Sequence, residues 1–518
     1  MNQLDDIRLR LSRLTNAPDL AWPGAVFVLA LLPRLIGLGA RPFWLDEVFT
    51  LQRASLSTPA LVQDSFANHH MPSFFLLLRP LVALGHPEFW LRLPSAIFGA
   101  LAVVMVFLIA RRIGGWVAGG LAALVMGLSP IALAFSQEAR SYTMEMSLIL
   151  VALYGVVRLA QDLPAAAGRM LAPPVRAGWL AYILGTALAL DVLGDGVPWL
   201  IAANLIAVAL TVLASGQRGF LINMLKADLA IALLTAPFYL MLELHQQKGF
   251  VQTLAWIPPL NVTRLWYSFG SVFFMRVADS VTFRLMDLPS PMLVWVIDVA
   301  LATAVAVAAW RLRRRPAMLA VLGISLVFLP VLLTGISLWQ PVLLPRYILW
   351  SSAPFAILAG IGASALLEAF SPRMRAVAVA AAVGLLAVNA ASYYRAETKP
   401  RWDLAAQMLA QEMEPGDVLY LHDFYAGKEL QIYLPADKQA MVLNDSQGDL
   451  NHAAQAMSQG KRVWAVYGLA GQGSGQAEKQ DYRESEAVLG TPAQVQNAGE
   501  RIVIVLYDPS AAVSRSGW

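Results

Sequence analysis

Asp46 and Glu47 stand side by side just after the first long apolar run of the chain. A carboxylate at a membrane surface can take the proton of an incoming hydroxyl or bind a divalent cation. The same pair, shortly beyond Pro42, also suits the acidic first turn of a helix. His69 and His70 precede Met71 and Pro72, where the chain turns into the apolar run 74–78. With Asp46 and Glu47 they are the candidate metal ligands, although an isolated histidine pair is more often a surface feature. Ser136, Gln137, Glu138, Arg140 and Tyr142 lie between two further apolar runs. Glu138 and Arg140 either neutralise each other or face a substrate. Arg346 and Tyr347 open another run, where an arginine either anchors a helix beside the aromatic belt or grips a phosphate.

The elements that carry these residues follow from composition. Of 518 residues, 58% are hydrophobic and 14% charged, and the mean hydropathy is +0.58. A soluble domain has about 45–50% apolar and about 25% charged residues. An ordinary soluble enzyme and a disordered or collagen-like chain are excluded. The absence of cysteine removes disulfides, thiolate catalysis and Cys-ligated metal clusters. Crossing a bilayer as a helix takes about 20 apolar residues. The runs 22–38, 93–110, 116–133, 142–160, 179–193, 197–213, 229–244, 291–310, 317–338, 347–367 and 377–391 qualify, which makes about eleven spans. The first is not a cleavable leader, because Arg41, Pro42 and Trp44 follow it instead of a small-residue cleavage site.

Positive charge sets the direction. Arg8, Arg10 and Arg13, then Arg111 and Arg112, then Arg158, Arg169 and Arg176, then Arg218 and Lys226 fall at every second junction. Arg311, Arg313, Arg314 and Arg315, and finally Arg373 and Arg375, continue the alternation. Short basic loops stay cytoplasmic, so the N-terminus is expected inside and the C-terminus outside. The loops 41–92 and 245–290 and the tail then face out, with His69, His70, His86, His245, His422 and His452. Asp46, Glu47, Glu138, Arg140, Glu145 and Arg346 gather at that face, and ionisable groups beside apolar spans are functional candidates by default. Asp298, within a span, is given no role. In the tail, Val418–Leu421, 463–467 and Ile502–Tyr507 read as strands and 402–413 and 450–459 as helices. The expected division is a transmembrane domain, 1–395, and a small outer α/β domain, 396–518. The Gly- and Gln-rich run 468–476 reads as a surface loop, not a phosphate cradle, and 164–174 as an inner-face linker.

Several of these segments, taken in order, resemble a known family. They are Trp44-Leu45-Asp46-Glu47, His70-Met71-Pro72-Ser73-Phe74-Phe75, Glu88-Phe89-Trp90-Leu91-Arg92-Leu93-Pro94-Ser95, Ser136-Gln137-Glu138-Ala139-Arg140-Ser141-Tyr142 and Pro345-Arg346-Tyr347. Over residues 20–390 the chain looks like the GT-C glycosyltransferases of the protein O-mannosyltransferase type, near the bacterial lipid A aminoarabinose and galacturonic acid transferases. The resemblance implies an all-α polytopic fold of the cytoplasmic membrane, with a small C-terminal α/β extracytoplasmic domain. It implies transfer of a sugar from a polyprenyl-phosphate carrier to a lipid, glycan or protein acceptor on the outer face, with inversion. Asp46 would be the base or acceptor-orienting carboxylate, with Glu47 supporting it. Arg140 and Arg346 would hold the donor phosphate, Glu138 and Tyr142 would shape the site, and His70, Arg92 and Tyr347 would line the substrate side.

The family often reads His-Pro-Pro-Leu where this chain has His70-Met71-Pro72-Ser73, a departure that bears on His70. Some relatives need no metal, so a divalent cation at Asp46, Glu47, His69 and His70 stays open, and no nucleic-acid partner is implied. The alternative from another class is a transporter or flippase for lipid-linked sugars. Such proteins usually carry repeats and midplane substrate residues on interrupted helices. Here no repeat is seen and the polar cluster lies at one face.

Overall fold

Inside a bilayer no water satisfies backbone N–H and C=O groups, so long apolar runs are stable there only as helices or closed barrels. The computed structural model has helices at each expected run. It describes residues 17–194, 196–214, 217–245, 254, 256–279, 283–286, 290–421, 424–443, 450–468 and 477–510. Arg8, Arg10, Arg13, His422 and the run 469–476 lie outside the described residues. Among the described residues, nine helices are long and apolar enough to cross a membrane. One of them, Leu93–Gly127, is a hairpin of two arms: Gly115 takes φ +86°, a conformation that L side chains rarely adopt. The rings of Phe107 and Trp116 lie 5.9 Å apart across the bend, whereas nine residues of straight helix would rise about 13 Å. Counting both arms and adding Ala17–Leu35 gives the eleven expected spans.

The run 116–133 is not one helix. Its arm stops at Gly127, and the chain restarts as Pro130–Ser136, with proline in the first turn where its missing N–H costs no bond. Other boundaries differ by a turn or more: 179–193 belongs to Pro173–Val192, 229–244 to Arg218–His245, and 377–391 to Pro372–Arg395. The expected linker 164–174 holds a short helix, Leu163–Ala166, and the first residues of Pro173–Val192. Leu233, Val331, Met292 and Val377 are exposed on the outside of the bundle, as a lipid-facing belt requires. Helix Ser352–Leu367 is instead almost wholly buried, packed on both Leu93–Gly127 and Pro291–Leu312. At Gly362 the Ala304 carbonyl of Pro291–Leu312 sits where a β-carbon would be, so only glycine permits this approach.

The segment between the first two spans is a stack of short helices, Leu45–Ala54, Thr58–Ala67, Ser73–Leu78 and Pro87–Trp90. Their shared core is Phe43, Val48, Leu61, Phe74, Phe75 and Leu91, joined by Ala139 from between the spans. The tail forms a four-stranded sheet. Val418–Leu421 runs parallel to Val463–Gly468, which pairs antiparallel with Ile502–Tyr507, itself antiparallel to Gln494–Ala498. Alternation along the strands sends Leu419, Trp464 and Ile504 to one face and Val418, Val463 and Tyr507 to the other, making two small cores. Strand Gln494–Ala498 and helices Phe424–Gln431, Ala436–Gln439 and Ala477–Leu489 were not anticipated. The strand is an edge strand rich in Gln and Asn, with no hydrophobic run to mark it.

Gly362→Leu should lower the unfolding free energy by about 1–3 kcal/mol or more, because a packed backbone must give way. Gly384→Leu is the control, since nothing lies within 4 Å of its β-carbon position. Thermal unfolding in detergent reads both. Equal midpoints for the two variants would contradict the close helix contact.

Candidate active site

The site is anchored by Glu47, in the first turn of Leu45–Ala54 and wholly buried. Its Oε1 accepts from Arg92 Nε at 2.7 Å and from the Ala139 backbone N–H at 2.9 Å. Its Oε2 accepts from Arg92 Nη2 at 2.9 Å, from Lys399 Nζ at 2.7 Å and from the Trp44 N–H at 3.4 Å. Arg92 is as fully used. Nη1 donates to the carbonyls of Leu38 (3.0 Å) and Arg41 (2.8 Å), and Nη2 also donates to Pro42 (2.9 Å), so all five of its N–H groups are engaged. Burial alone would raise the Glu47 carboxyl, but the charges of Arg92 and Lys399 outweigh it and hold Glu47 at about 2. Lys399 bears the opposite balance: burial and the neighbouring Arg92 lower its ammonium to about 8 despite Glu47. Glu47 gains two cations, whereas Lys399 shares one anion with a competing guanidinium.

Arg41 brings Lys399 there. Its guanidinium donates to the carbonyls of Tyr393 (2.7 Å), Ala396 (3.3 Å) and Tyr394 (3.4 Å), capping the last membrane helix, and to Thr398 Oγ1 (2.8 Å). Tyr433 of the tail reaches back as well, donating to Glu88 Oε1 (3.0 Å) and accepting from the Phe43 N–H (2.7 Å). Arg34, fully buried in the first helix, donates from Nε to Ser136 Oγ at 3.0 Å. Gln137 donates to the carbonyls of Arg34 and Ile36 and accepts from Tyr393 Oη. The segment 136–140 is thus fixed by the first helix, the last helix and Glu47.

Asp46 is oriented differently. It lies in the acidic first turn of Leu45–Ala54, as the helix-terminus reading expects, and it also pairs across the site. Its Oδ2 accepts from Arg346 Nη1 at 2.6 Å, and the same nitrogen lies 3.4 Å from Tyr142 Oη. Arg346 is 9% exposed and Asp46 24%, against none for Glu47. The rings of Trp44, Trp256 and Tyr347 surround the Arg346 guanidinium at 5.2–5.9 Å. Glu138 and Arg140 flank this pair, both buried. Glu138 Oε2 and Arg140 Nε have no hydrogen-bond partner among the described residues. Burial pushes the Glu138 carboxyl up to about 7, Lys399 opposing and Glu47 reinforcing the shift.

The structure therefore brings together Asp46, Glu138, Arg140, Tyr142, Arg346 and Tyr347. Two of the expected site residues are fully engaged within the protein. Both Glu47 oxygens accept from buried donors, so its carboxylate holds the site together. Arg92 is saturated by Glu47 and by three carbonyls, so it positions the segment that follows the first span. His70 packs on Phe75 with ring centroids 5.9 Å apart. Burial, then the nearby Arg140 and Arg53, hold His70 well below its ordinary range and hence neutral at pH 7. Asp46, Glu47, His69 and His70 do not form a metal cage; among the described residues no three acidic or histidine side chains do. Asp298 pairs with Arg276 at 2.8 Å. Lys399, Arg34 and Arg41 were missed. The one signal for Lys399 was a lysine before Pro400 just past the last span, where proline restricts the backbone.

The apolar helices and the small sheet of the tail together define a polytopic membrane protein of GT-C fold. Solved structures share that fold. ArnT from Cupriavidus metallidurans in the apo state aligns over 95% of this chain and 99% of its own, with 15% identity and TM-score 0.58. The same protein bound to undecaprenyl phosphate aligns over 95% and 98%, with 14% identity and TM-score 0.57. The Archaeoglobus fulgidus oligosaccharyltransferase in complex with Zn and sulfate aligns over 86% and 68%, with 14% identity and TM-score 0.50. No protein-family model matches the sequence, and no curated protein matches it.

Glu47→Gln should cost roughly 3–5 kcal/mol, because Arg92 and Lys399 stay buried with their counter-charge gone. The sign with pH follows from the lowered carboxyl. The stabilisation from Glu47 is complete above about 4.5, its ordinary value, and is lost as pH falls through about 2. The gap in unfolding midpoint between wild type and Glu47→Gln should therefore be wide at pH 7 and narrow in acid. A gap of the same size throughout would contradict the ion-pair origin.

Proposed function

We propose that the chain is a glycosyltransferase that moves a sugar from a polyprenyl-phosphate carrier to a lipid, glycan or protein acceptor at the outer face of a bacterial cytoplasmic membrane. The observation that carries this reading is the half-open Asp46–Arg346 pair at the start of a membrane span, beside the orphaned atoms of Glu138 and Arg140. Of the similar structures, one was solved bound to undecaprenyl phosphate and another is an oligosaccharyltransferase. In this reading residues 1–395 form the catalytic membrane domain and 396–518 an outer domain. The N-terminus is cytoplasmic and the tail extracytoplasmic, as the alternation of basic loops requires.

The chemistry is a single displacement. The polyprenyl chain lies among apolar helices and its phosphate exchanges for Asp46 on Arg346, with Arg140 beside it. A guanidinium suits this exchange, since it binds carboxylate and phosphate with the same fork. Asp46, released, accepts the proton of the acceptor hydroxyl while that oxygen bonds to the anomeric carbon. The bond from that carbon to the phosphate oxygen breaks, its electron pair leaves on polyprenyl phosphate, and the arginines stabilise the growing charge. Attack opposite the leaving group inverts the centre. No metal step is derived, because Glu47 is saturated and His70 is turned to Phe75. A flippase of lipid-linked sugars is the second reading, and the position of the cluster at one end of the spans disfavours it.

Purified protein given labelled polyprenyl-phosphate sugar and an acceptor should release free polyprenyl phosphate. Asp46→Asn should cut turnover about 10²–10⁴-fold with carrier binding retained, since the base is lost and the shape kept. Arg346→Ala should weaken carrier binding about 10- to 100-fold, and Arg346→Lys less. Sugar moved across a vesicle bilayer without release of polyprenyl phosphate would instead establish the flippase.

A further inference from the structure

Arg346 begins one long buried helical segment and Glu368 ends it, about 30 Å away by helical rise. At that far end the structure leaves a cavity of about 570 Å³. It lies between the hairpin bend at Ile113 and Gly114, the end of Pro291–Leu312, and the end of Ser352–Leu367. Four arginines line it, Arg311, Arg313, Arg314 and Arg315, against one acid, Glu368, so the lining carries a net charge of +3. Arg311 is already neutralised, with Nη1 2.9 Å from Glu368 Oε1 and Nη2 2.5 Å from Oε2. Arg315 spends one N–H on the Ile113 carbonyl at 3.1 Å, which ties the basic loop to the hairpin. Among the described residues, Arg313, Arg314 and Arg315 have no acidic partner.

The other wall is apolar. Ile361, Ala365 and Leu312 are buried there, and Trp310 is 57% exposed with the Arg313 guanidinium 4.6 Å from its ring. Topogenic charge needs only basic residues in a loop. It does not require a cavity, nor three arginines without an acidic partner lining it together with an exposed tryptophan. That combination fits a ligand with a phosphate at one end and hydrocarbon at the other.

We propose that this cavity binds the phosphate headgroup of an anionic membrane lipid. Arg313, Arg314 and Arg315 take the phosphate, and the first methylenes of an acyl chain lie along Trp310 and Ile361. The bidentate Arg311–Glu368 pair and the Arg315–Ile113 bond tie the walls to one another and fix their relative position. Such a site would stand whatever reaction the outer cluster performs.

The full-length protein in nanodiscs of phosphatidylcholine with added phosphatidylglycerol, transferred to detergent and read by native mass spectrometry, tests this. Wild type should retain phosphatidylglycerol in preference to phosphatidylcholine. Removing charge in the triple variant R313Q/R314Q/R315Q should weaken retention about a hundredfold, from roughly fivefold for each basic residue near the surface. Ser364→Phe keeps every charge but fills the cavity, and it should lose the preference while keeping the unfolding midpoint of wild type. Equal retention of the two lipids by wild type would overturn the proposal, and so would undiminished phosphatidylglycerol on a folded Ser364→Phe. Displacement of the lipid by inorganic phosphate would overturn the lipid assignment in favour of a soluble phosphate ester.

Discussion

The buried bond of Glu47 to Arg92 and Lys399 is the constraint on which this end of the helical bundle depends. One carboxylate joins four pieces of chain that are far apart in sequence: its own helix, the start of the second span, the segment 136–140 through the Ala139 N–H, and the beginning of the tail. A buried ion pair is seldom a net source of stability, because desolvation offsets the attraction. Its value here is geometric. Removing any one partner leaves the others charged in a dry site, so the four pieces are held in one arrangement or not at all.

That fixed frame explains how adjacent acids come to have different environments. Successive residues in a helical first turn point in different directions, and at this position one direction is the interior and the other the opening. Glu47 is consumed by the frame. Asp46 is left with a single strong partner, Arg346, itself ringed by Trp44, Trp256 and Tyr347. These rings leave the Arg346 side chain only 9% exposed. In the proposed reading this pair trades carboxylate for phosphate, because a guanidinium binds both with the same fork. Glu138, pushed to about 7 by burial, is a third acid beside the pair, with an environment unlike that of Glu47 or Asp46.

Much of this was legible in the sequence because it rests on local pattern. Apolar length marked the spans, and the motifs at Asp46, Glu138–Tyr142 and Arg346 marked the residues that the fold assembles. What was not legible depends on distance in sequence. Nothing local distinguishes Glu47 from Asp46; only Arg92, forty-five residues on, and Lys399, over three hundred and fifty residues on, decide which acid is buried. Arg92 sits in a motif, and motif membership alone did not separate a residue that holds the site from one that meets a substrate. Arg34 was hidden inside an apolar run, where its partner Ser136 lies on another helix. The edge strand Gln494–Ala498 escaped because its pairing with Ile502–Tyr507, not its own composition, makes it a strand.

In the proposed reading Glu47 is a fixed frame and Asp46–Arg346 an exchangeable pair. A structure of the protein with polyprenyl phosphate bound tests both halves at once. The phosphate should lie on Arg346 near Arg140, with the 2.6 Å bond from Arg346 to Asp46 broken or lengthened and the bonds of Glu47 to Arg92 and Lys399 unchanged. A phosphate bound elsewhere with the Asp46–Arg346 bond intact, or one that draws Arg92 or Lys399 away from Glu47, would contradict it.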